Sequence, residues 1–175
     1  MHYRHHDPSV RGEGSAGGTG DRSVCGSGGS WNKRCHSHIR PDLAIVFEGS
    51  PSDDFYFSAA QTQGHMRGGV QIRRMDKSYI SNPVFIEYAE ELAKKFGIPF
   101  QETVRRGGST NAGKISLTAK AVPVLVLGVP SRYVHTHYNF CAKSDLEAAA
   151  DLAVEVIRGL DAEKIRHICR QDILK

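Results

Sequence analysis

The sequence lacks the features of a membrane or secreted protein. No apolar run reaches the roughly 20 residues that a membrane-spanning helix needs, and the polar, glycine-rich N-terminus is unlike a secretory signal peptide. The four cysteines, Cys25, Cys35, Cys141 and Cys169, include no C-x-x-C pair. We therefore predict free thiols, a reducing cytoplasmic location and no membrane partner.

The sequence also has little excess charge. The formal net charge is +4, and most of it lies in the first forty residues, where six Lys or Arg are opposed by three Asp or Glu. The remainder is nearly neutral, so the basicity does not indicate that the folded part binds nucleic acid. A chain of 175 residues can form one domain with a sizeable core.

Residues 1–38 have no apolar period and too few apolar side chains to bury. We predict that this segment is a disordered arm. Cys25, Cys35, His36 and His38 do not have the usual spacing of zinc ligands. A basic, His-rich arm that binds metal or nucleic acid nevertheless remains an alternative function for this segment.

From Pro41 onward, strand and helix patterns alternate. The apolar run Leu43 to Phe47 predicts a strand buried on both faces that carries Glu48 to its carboxyl end. Gly69 to Arg74 predicts a strand with Val70 and Ile72 on one face, followed by a connection through Met75 to Ser81. Further strands are predicted at Ile98 to Val104 and Val122 to Leu127, and further helices at Ile115 to Ala121 and Ala162 to Leu174.

Two longer helices have clear start signals. Asn82 and Pro83 predict the beginning of a helix that ends at Gly97, with Glu90 among the residues of its solvated face. The run Ser144 to Glu147 predicts a capping box. The helix that follows is predicted to bury Leu146, Ala149, Ala150, Ala153, Val156, Ile157 and Leu160. Together these patterns predict an α/β fold, with a mixed sheet flanked by helices.

The segment LGVPSRYVHTH follows the predicted strand Val122 to Leu127. The strand is expected to break at Pro130 and to present Arg132, Tyr133, His135 and His137 on the loop beyond it, where open α/β sheets bind ligands. Spacing alone favours surface loop histidines, because an isolated H-x-H pair is a weak metal signal.

Four segments nevertheless resemble one family. AVPVLVLGVPSRYVHTHYN resembles the C-terminal signature of the dinuclear-metal aminopeptidases of glutamyl, deblocking and tetrahedral-particle type, some of which carry the label endoglucanase. IRPDLAIVFEG, GGVQIRRMDKSYISNP and RRGGSTNAGKISL resemble other segments of the same family, in the same order. The resemblance covers about Ile39 to Leu160.

The resemblance implies that His135 and Glu48 are metal ligands. It implies supporting polar roles for Thr110 and Asn111, and substrate-binding or supporting roles for Arg132 and Tyr133. The expected cofactors are two divalent ions, zinc or cobalt, which polarise the carbonyl of a peptide substrate and activate a water molecule. Homo-oligomers are usual in the family.

The sequence departs from the family upstream of Ile39. The acidic motif like Q-E-E-V-G, which supplies the general base and a ligand, is absent, as are the first His, the bridging Asp and the small dimerisation domain. We expect the C-terminal half of a catalytic domain, inactive and poorly folded alone. A half-domain binding module completed by a partner chain is the alternative. The bases encoding CGSGGSWNKRC could spell an acidic pair one position later, which suggests a frameshifted arm.

Overall fold

A computed structural model describes residues 41–58, 60–117 and 121–169. The predicted arm, with Cys25 and Cys35, lies outside the described residues. The strands are β1 Ala44–Pro51, β2 Val70–Asp76, β3 Tyr79–Ile80, β4 Phe100–Val104, β5 Val124–Arg132 and β6 Phe140–Cys141. The helices are α1 Pro83–Phe96, α2 Asn111–Ser116, α3 Lys143–Gly159 and α4 Ala162–Cys169. In the described part of the chain, none of them is long and apolar enough to cross a membrane.

The six strands form one mixed sheet, which confirms the predicted α/β class. Strand β5 pairs in parallel with β1 on one side and antiparallel with β2 on the other. Strand β4 pairs in parallel with β2, while the short strands β3 and β6 add antiparallel pairs to β2 and β5. The predicted connection from Met75 to Ser81 is wrong, since it contains the end of β2 and the whole of β3.

Strand β5 does not break at Pro130, contrary to the prediction. It pairs with β1 through Ser50 opposite Pro130 and Pro51 opposite Ser131. The amides of Ala44 and Ser52 bond to the carbonyls of Pro123 and Ser131, so the backbone polar groups of odd-numbered β5 residues point toward β1. The backbone nitrogen of Pro130 therefore points toward the other edge of β5, where its missing N–H removes no bond to β1. Arg132 consequently ends the strand and does not lie on the loop.

Strand β1 also runs further than predicted. Glu48 lies in its middle, three residues before its end at Pro51. The expectation that this strand is buried on both faces is wrong, because Phe47 is 53% exposed. Among the described residues, β1 has a strand partner, β5, on one edge only, and the face that carries Phe47 is incompletely covered there.

The sheet has a different core on each face. On one face, Val70 and Ile72 of β2 and Leu125 and Leu127 of β5 pack with α1, α3 and Ile168 of α4, as the predicted shared face of Val70 and Ile72 requires. The other face carries a smaller cluster. Its buried members are Val46, Tyr79, Ala112, Ile115, Val122, Val124 and Val126. Because strand side chains alternate, Glu48 shares this second face with Val46.

Helix α1 begins and ends as predicted. The side chain of Asn82 accepts a hydrogen bond from the Phe85 amide (3.1 Å), and Gly97 adopts a left-handed backbone with φ of 65°. Glu90 is an exception to the predicted solvated face. It is buried, and its carboxylate pairs with Arg74 of β2 at 2.7 Å.

The predicted capping box of α3 is wrong. The N-cap is Ala142, which makes no side-chain cap bond, and Ser144 is exposed. The buried stripe is also shifted, since Leu146 and Ile157 are 53% and 40% exposed. Asp145 begins the actual stripe because its carboxylate binds backbone amides elsewhere in the fold. The buried positions are Asp145, Ala148, Ala149, Leu152, Ala153 and Val156.

The other two helix predictions were partly right. Helix α2 spans Asn111–Ser116, four residues earlier than the predicted Ile115 to Ala121, because Thr110 caps it. Residues 118–120 lie outside the description. Helix α4 begins at Ala162 as predicted and is described as far as Cys169.

Candidate metal-binding rim

Glu48 lies on the sheet face that α2 covers, at the N-terminal end of that helix. Its side chain is half-buried, and Oε1 accepts a hydrogen bond from the Asn111 amide at 3.4 Å. Burial raises the pKa of Glu48 above its ordinary value, while the Asn111 hydrogen bond and the charges of Arg73 and His135 act in the opposite direction. The carboxylate is therefore only partly compensated, and a cation nearby would stabilise its ionised form.

His135 lies just beyond the end of β5. It is exposed and has a left-handed backbone with φ of 69°, as does Tyr133 with φ of 56°. The amide and hydroxyl of Thr136 both donate to the Tyr133 carbonyl, at 3.1 and 2.7 Å, and so close the turn. Strand β1 pairs in parallel with β5, Glu48 opposite Gly128, and His135 lies three residues beyond the end of β5. Both residues therefore lie toward the same end of the sheet, which we call the rim, and the charge of His135 acts to lower the pKa of Glu48.

Thr110 and Asn111 act on this rim through the start of α2. Thr110 is 7% exposed, and its hydroxyl accepts a hydrogen bond from the Ala112 amide at 3.3 Å. Asn111 reaches Glu48 with its backbone amide, so its side chain is not needed for that contact. Both residues therefore position the end of the helix against the carboxylate.

Arg132 and Tyr133 are held by neighbouring loops. The Arg132 guanidinium bonds to Asp54 at 3.0 Å and lies 5.0 Å from the centre of the Phe55 ring. Tyr133 is 47% exposed, and its ring makes edge contacts with Phe55 and Phe140 at centroid distances of 5.8 and 5.7 Å. His137, the second histidine of the pair, is exposed.

A buried polar group that the sequence reading missed lies under Glu48. Arg73 of β2 is 5% exposed, donates to the Ser50 hydroxyl at 2.7 Å and lies 3.6 Å from the Asp76 carboxylate. Tyr79 packs on the same face of the sheet, and its burial raises the pKa of its hydroxyl to about 12. The available signal was the alternation of Gln71 and Arg73 with apolar residues, which puts polar side chains on one face of a central strand.

The loop after β1 supplies two more carboxylates, Asp53 and Asp54. Asp53 accepts hydrogen bonds from the Gly64 amide (3.0 Å) and from Arg105 (2.9 Å). Asp54 accepts from Arg132 and from the Met66 amide at 3.3 Å. These contacts fold residues 52–58 and 60–66 back against the end of the sheet, beside the turn that carries His135.

Glu48 and His135 have the chemistry of metal ligands, although they do not make a complete site. A carboxylate oxygen and an imidazole nitrogen are usual donors to zinc and similar divalent ions. Among the described residues, no group of three or more His, Cys, Asp or Glu could hold a metal ion. Two donors leave a tetrahedral ion half-coordinated, so this rim fits part of a metal site.

A protein-family model described as M42 glutamyl aminopeptidase matches residues 26–152, a span that includes both Glu48 and His135. The chain belongs to this family. The match confirms the predicted family, and it begins within the segment that we predicted to be an arm.

Individual relatives agree with this assignment. A candidate aminopeptidase of Acetivibrio thermocellus is 34% identical over 119 residues, which cover 68% of this chain and 36% of the relative. The TET aminopeptidase of Thaumarchaeota archaeon SCGC AB-539-E09 is 28% identical, with a TM-score of 0.75 over 79% of this chain and 39% of that one. A dodecameric structure, PhTET1-12s, is 25% identical, with a TM-score of 0.62 over 73% of this chain and 37% of that one. The M42 chain described here thus spans little more than a third of these relatives.

Proposed function

We propose that this M42 chain forms part of the catalytic domain of a metallo-aminopeptidase, which removes N-terminal residues from peptides. The observation that carries the proposal is the placement of Glu48 on β1, opposite Gly128 of β5, and of His135 just beyond the end of β5, both within the family match. In this proposal the two side chains are metal ligands, and Thr110, Asn111, Arg132 and Tyr133 support the site.

Two divalent ions, zinc or cobalt, would polarise the scissile carbonyl and activate water when bound. The residues of this chain would hold and orient the site. Glu48 would bind through its carboxylate, steadied by the Asn111 amide, while the buried Arg73 supplies a fixed positive charge nearby. His135 would bind from the turn after β5. No Glu in this chain matches the general base of the family motif, so we expect no turnover by the chain alone.

The proposed substrate is a peptide and the proposed assembly is a homo-oligomer. The peptide follows from the aminopeptidase names of the family and of the relatives. The assembly is suggested by the dodecamer of a structurally similar chain. For the part of the chain beyond the first forty residues we propose no nucleic-acid partner, since its charge is nearly balanced.

An activity assay tests this proposal. The chain alone, with zinc or cobalt added, should not hydrolyse aminoacyl p-nitroanilides. Co-expression with a polypeptide that carries the rest of the family's catalytic domain should give turnover, and Glu48→Gln in the co-expressed pair should abolish it. Metal-dependent turnover by the chain alone, or full activity of the Glu48→Gln pair, would contradict the proposal.

A second candidate function is a binding module that another polypeptide completes. It is favoured by the edge of β1 that has no partner strand among the described residues, and by the exposed Phe47 on the same strand. A reading frame next to this one that encodes the rest of the family's catalytic domain would support it.

Two proposals concern residues outside the description. The first is that the arm is a frameshifted translation, and the coding DNA decides it, because the shifted frame must contain the acidic pair. The second is that the His-rich arm binds metal or nucleic acid. Deletion of residues 1–38 with unchanged binding of both would exclude it.

A further inference from the structure

The turn that carries His135 contains two left-handed residues without glycine. Tyr133 and His135 have φ values of 56° and 69°, a region that side chains with a Cβ seldom adopt. Such conformations persist where the surroundings hold them, and they are concentrated at functional sites. Something beyond the turn's own Thr136 hydrogen bonds is therefore expected to hold it.

Three aromatic rings surround this turn. Phe55 comes from the loop after β1, Tyr133 from the turn itself and Phe140 from β6, and consecutive rings meet edge to face. We call this group the aromatic clamp. Phe140 also lies opposite Arg132 in the β5–β6 ladder, so the clamp holds the turn from both sides.

The clamp does not belong to either apolar core. Phe55 and Phe140 are 40% and 47% exposed, and neither is part of the two buried clusters. A contiguous group of exposed apolar rings usually marks a functional surface. Arg132 strengthens the arrangement, because its guanidinium lies over Phe55 while it pairs with Asp54 of the same loop.

We propose that Phe55 and Phe140 are positioning residues that fix the left-handed turn at Tyr133 and thereby direct the imidazole of His135 toward Glu48. The inference rests on the proposed function only for the statement that His135 binds a metal ion. The conformational part, that two exposed rings hold a strained turn, stands independently of any metal.

The experiment compares the full chain with the variant Phe55→Ala/Phe140→Ala. NMR reports the backbone at Tyr133 and His135 through the three-bond HN–Hα couplings and the Cα shifts. We expect these to move from left-handed values toward averaged ones in the double variant. Tyr138→Ala, at a position that is 82% exposed, is the matched control and should leave them unchanged. Phe55→Tyr keeps the ring and should also retain the wild-type values.

The second readout is zinc affinity, which is measured through the imidazole nitrogen shifts of His135 during a Zn²⁺ titration. Loss of residues that orient a ligand typically weakens metal binding about 10-fold or more, and we expect that loss in the double variant but not in Tyr138→Ala. Amide signals of core residues such as Leu125 and Leu152 show whether each variant is folded.

The outcomes separate the clamp from the proposed function. Unchanged couplings in a folded double variant would overturn the clamp, as would altered couplings with wild-type zinc affinity where His135→Ala does reduce that affinity. If His135→Ala does not reduce zinc affinity, the ligand assignment fails, and the couplings alone then decide whether Phe55 and Phe140 hold the turn.

Discussion

A single buried carboxylate joins two distant segments of this M42 chain. Asp145, at the start of α3, accepts hydrogen bonds from the Arg67 amide at 2.7 Å and the Gly69 amide at 3.0 Å, across 78 and 76 residues of sequence. It is 1% exposed, so its negative charge depends on these amides for compensation. The sequence reading saw only a local helix start there, because a partner so far away leaves no local pattern.

Asp145→Asn should therefore destabilise the fold. An amide can accept one of the two bonds but leaves the other backbone N–H buried without a partner, at a cost of about 2 kcal/mol. Chemical unfolding measures the loss, and hydrogen exchange at Arg67 and Gly69 should become faster. Asp151→Asn, on the exposed face of the same helix, should change neither. Equal effects of the two substitutions would contradict the account.

The charge of Asp54 should make the stability of the fold depend on pH. Burial acts to raise its pKa, but the hydrogen bonds from Arg132 and the Met66 amide outweigh burial and lower the pKa below the ordinary value. An acid whose pKa is lower in the folded state contributes stability above its unfolded pKa and loses it as the pH falls through the folded value. The contribution should be complete at neutral pH, begin to decline near the ordinary aspartate pKa of about 4, and continue to decline as the pH falls further.

Asp54→Asn tests this contribution. At pH 7 the variant should be less stable than the wild type by about 1 kcal/mol, the worth of a hydrogen bond to a charged group that is partly exposed. Thermal unfolding at a series of pH values should show the difference shrinking as the solution becomes more acidic. A difference that is constant from pH 7 to pH 3 would show that the carboxylate charge is not involved.

The residues at the rim were predictable to different extents. Glu48 and His135 were predicted as ligands through motif resemblance, since a strand acid and an H-x-H pair carry little information alone, and this role stays a prediction. Phe55 and Phe140 were missed, because aromatic residues in a loop and a two-residue strand have no periodicity. Arg73 could have been found, as a basic residue that alternates with buried valine and isoleucine in a central strand.

At the scale of elements, helix starts illustrate when local sequence is sufficient. Asn82 was correctly predicted as the N-cap of α1, and its amide group also donates to the Ile168 carbonyl of α4 at 2.9 Å. Ser144 had an equally good cap signature, yet α3 begins before it at Lys143. The packing of Asp145 against residues 67–69 sets that start, and tertiary contacts of this kind are invisible to a capping rule.

Alanine substitutions at Asn82 and Ser144 distinguish the real N-cap from the one that was wrongly predicted. Asn82→Ala should cost about 1 kcal/mol, the usual value of an N-cap bond, with some further loss of α4 docking. Ser144→Ala should lie within about 0.5 kcal/mol of the wild type, as for other exposed positions. Chemical denaturation of both variants measures the difference, and a large effect at Ser144 would restore the predicted capping box.

At the scale of the whole molecule, the most informative surface is the edge of β1. The described residues give this strand one partner, β5, and leave Phe47 exposed. An unpaired strand edge next to an exposed apolar ring favours association with another chain. We expect the chain on its own to self-associate through this edge.

Phe47→Lys should weaken that self-association about 10-fold or more, because it removes a buried ring from the contact and adds a repelling charge. Sedimentation velocity over a range of concentrations measures the change. Ile80→Lys, at a residue that is 77% exposed on the short strand β3, is the control and should behave as the wild type. Equal dissociation by both variants would place the contact elsewhere.

A Zn²⁺ titration of the full chain, followed at the imidazole nitrogens of each histidine, tests whether Glu48 and His135 belong to the same metal site. We expect His135 to respond in a saturable manner and Glu48→Gln to weaken this response about 10-fold or more, because the loss of one group of a metal site lowers its affinity. The same affinity at His135 in wild type and Glu48→Gln, or a response at His137 in place of His135, would contradict it.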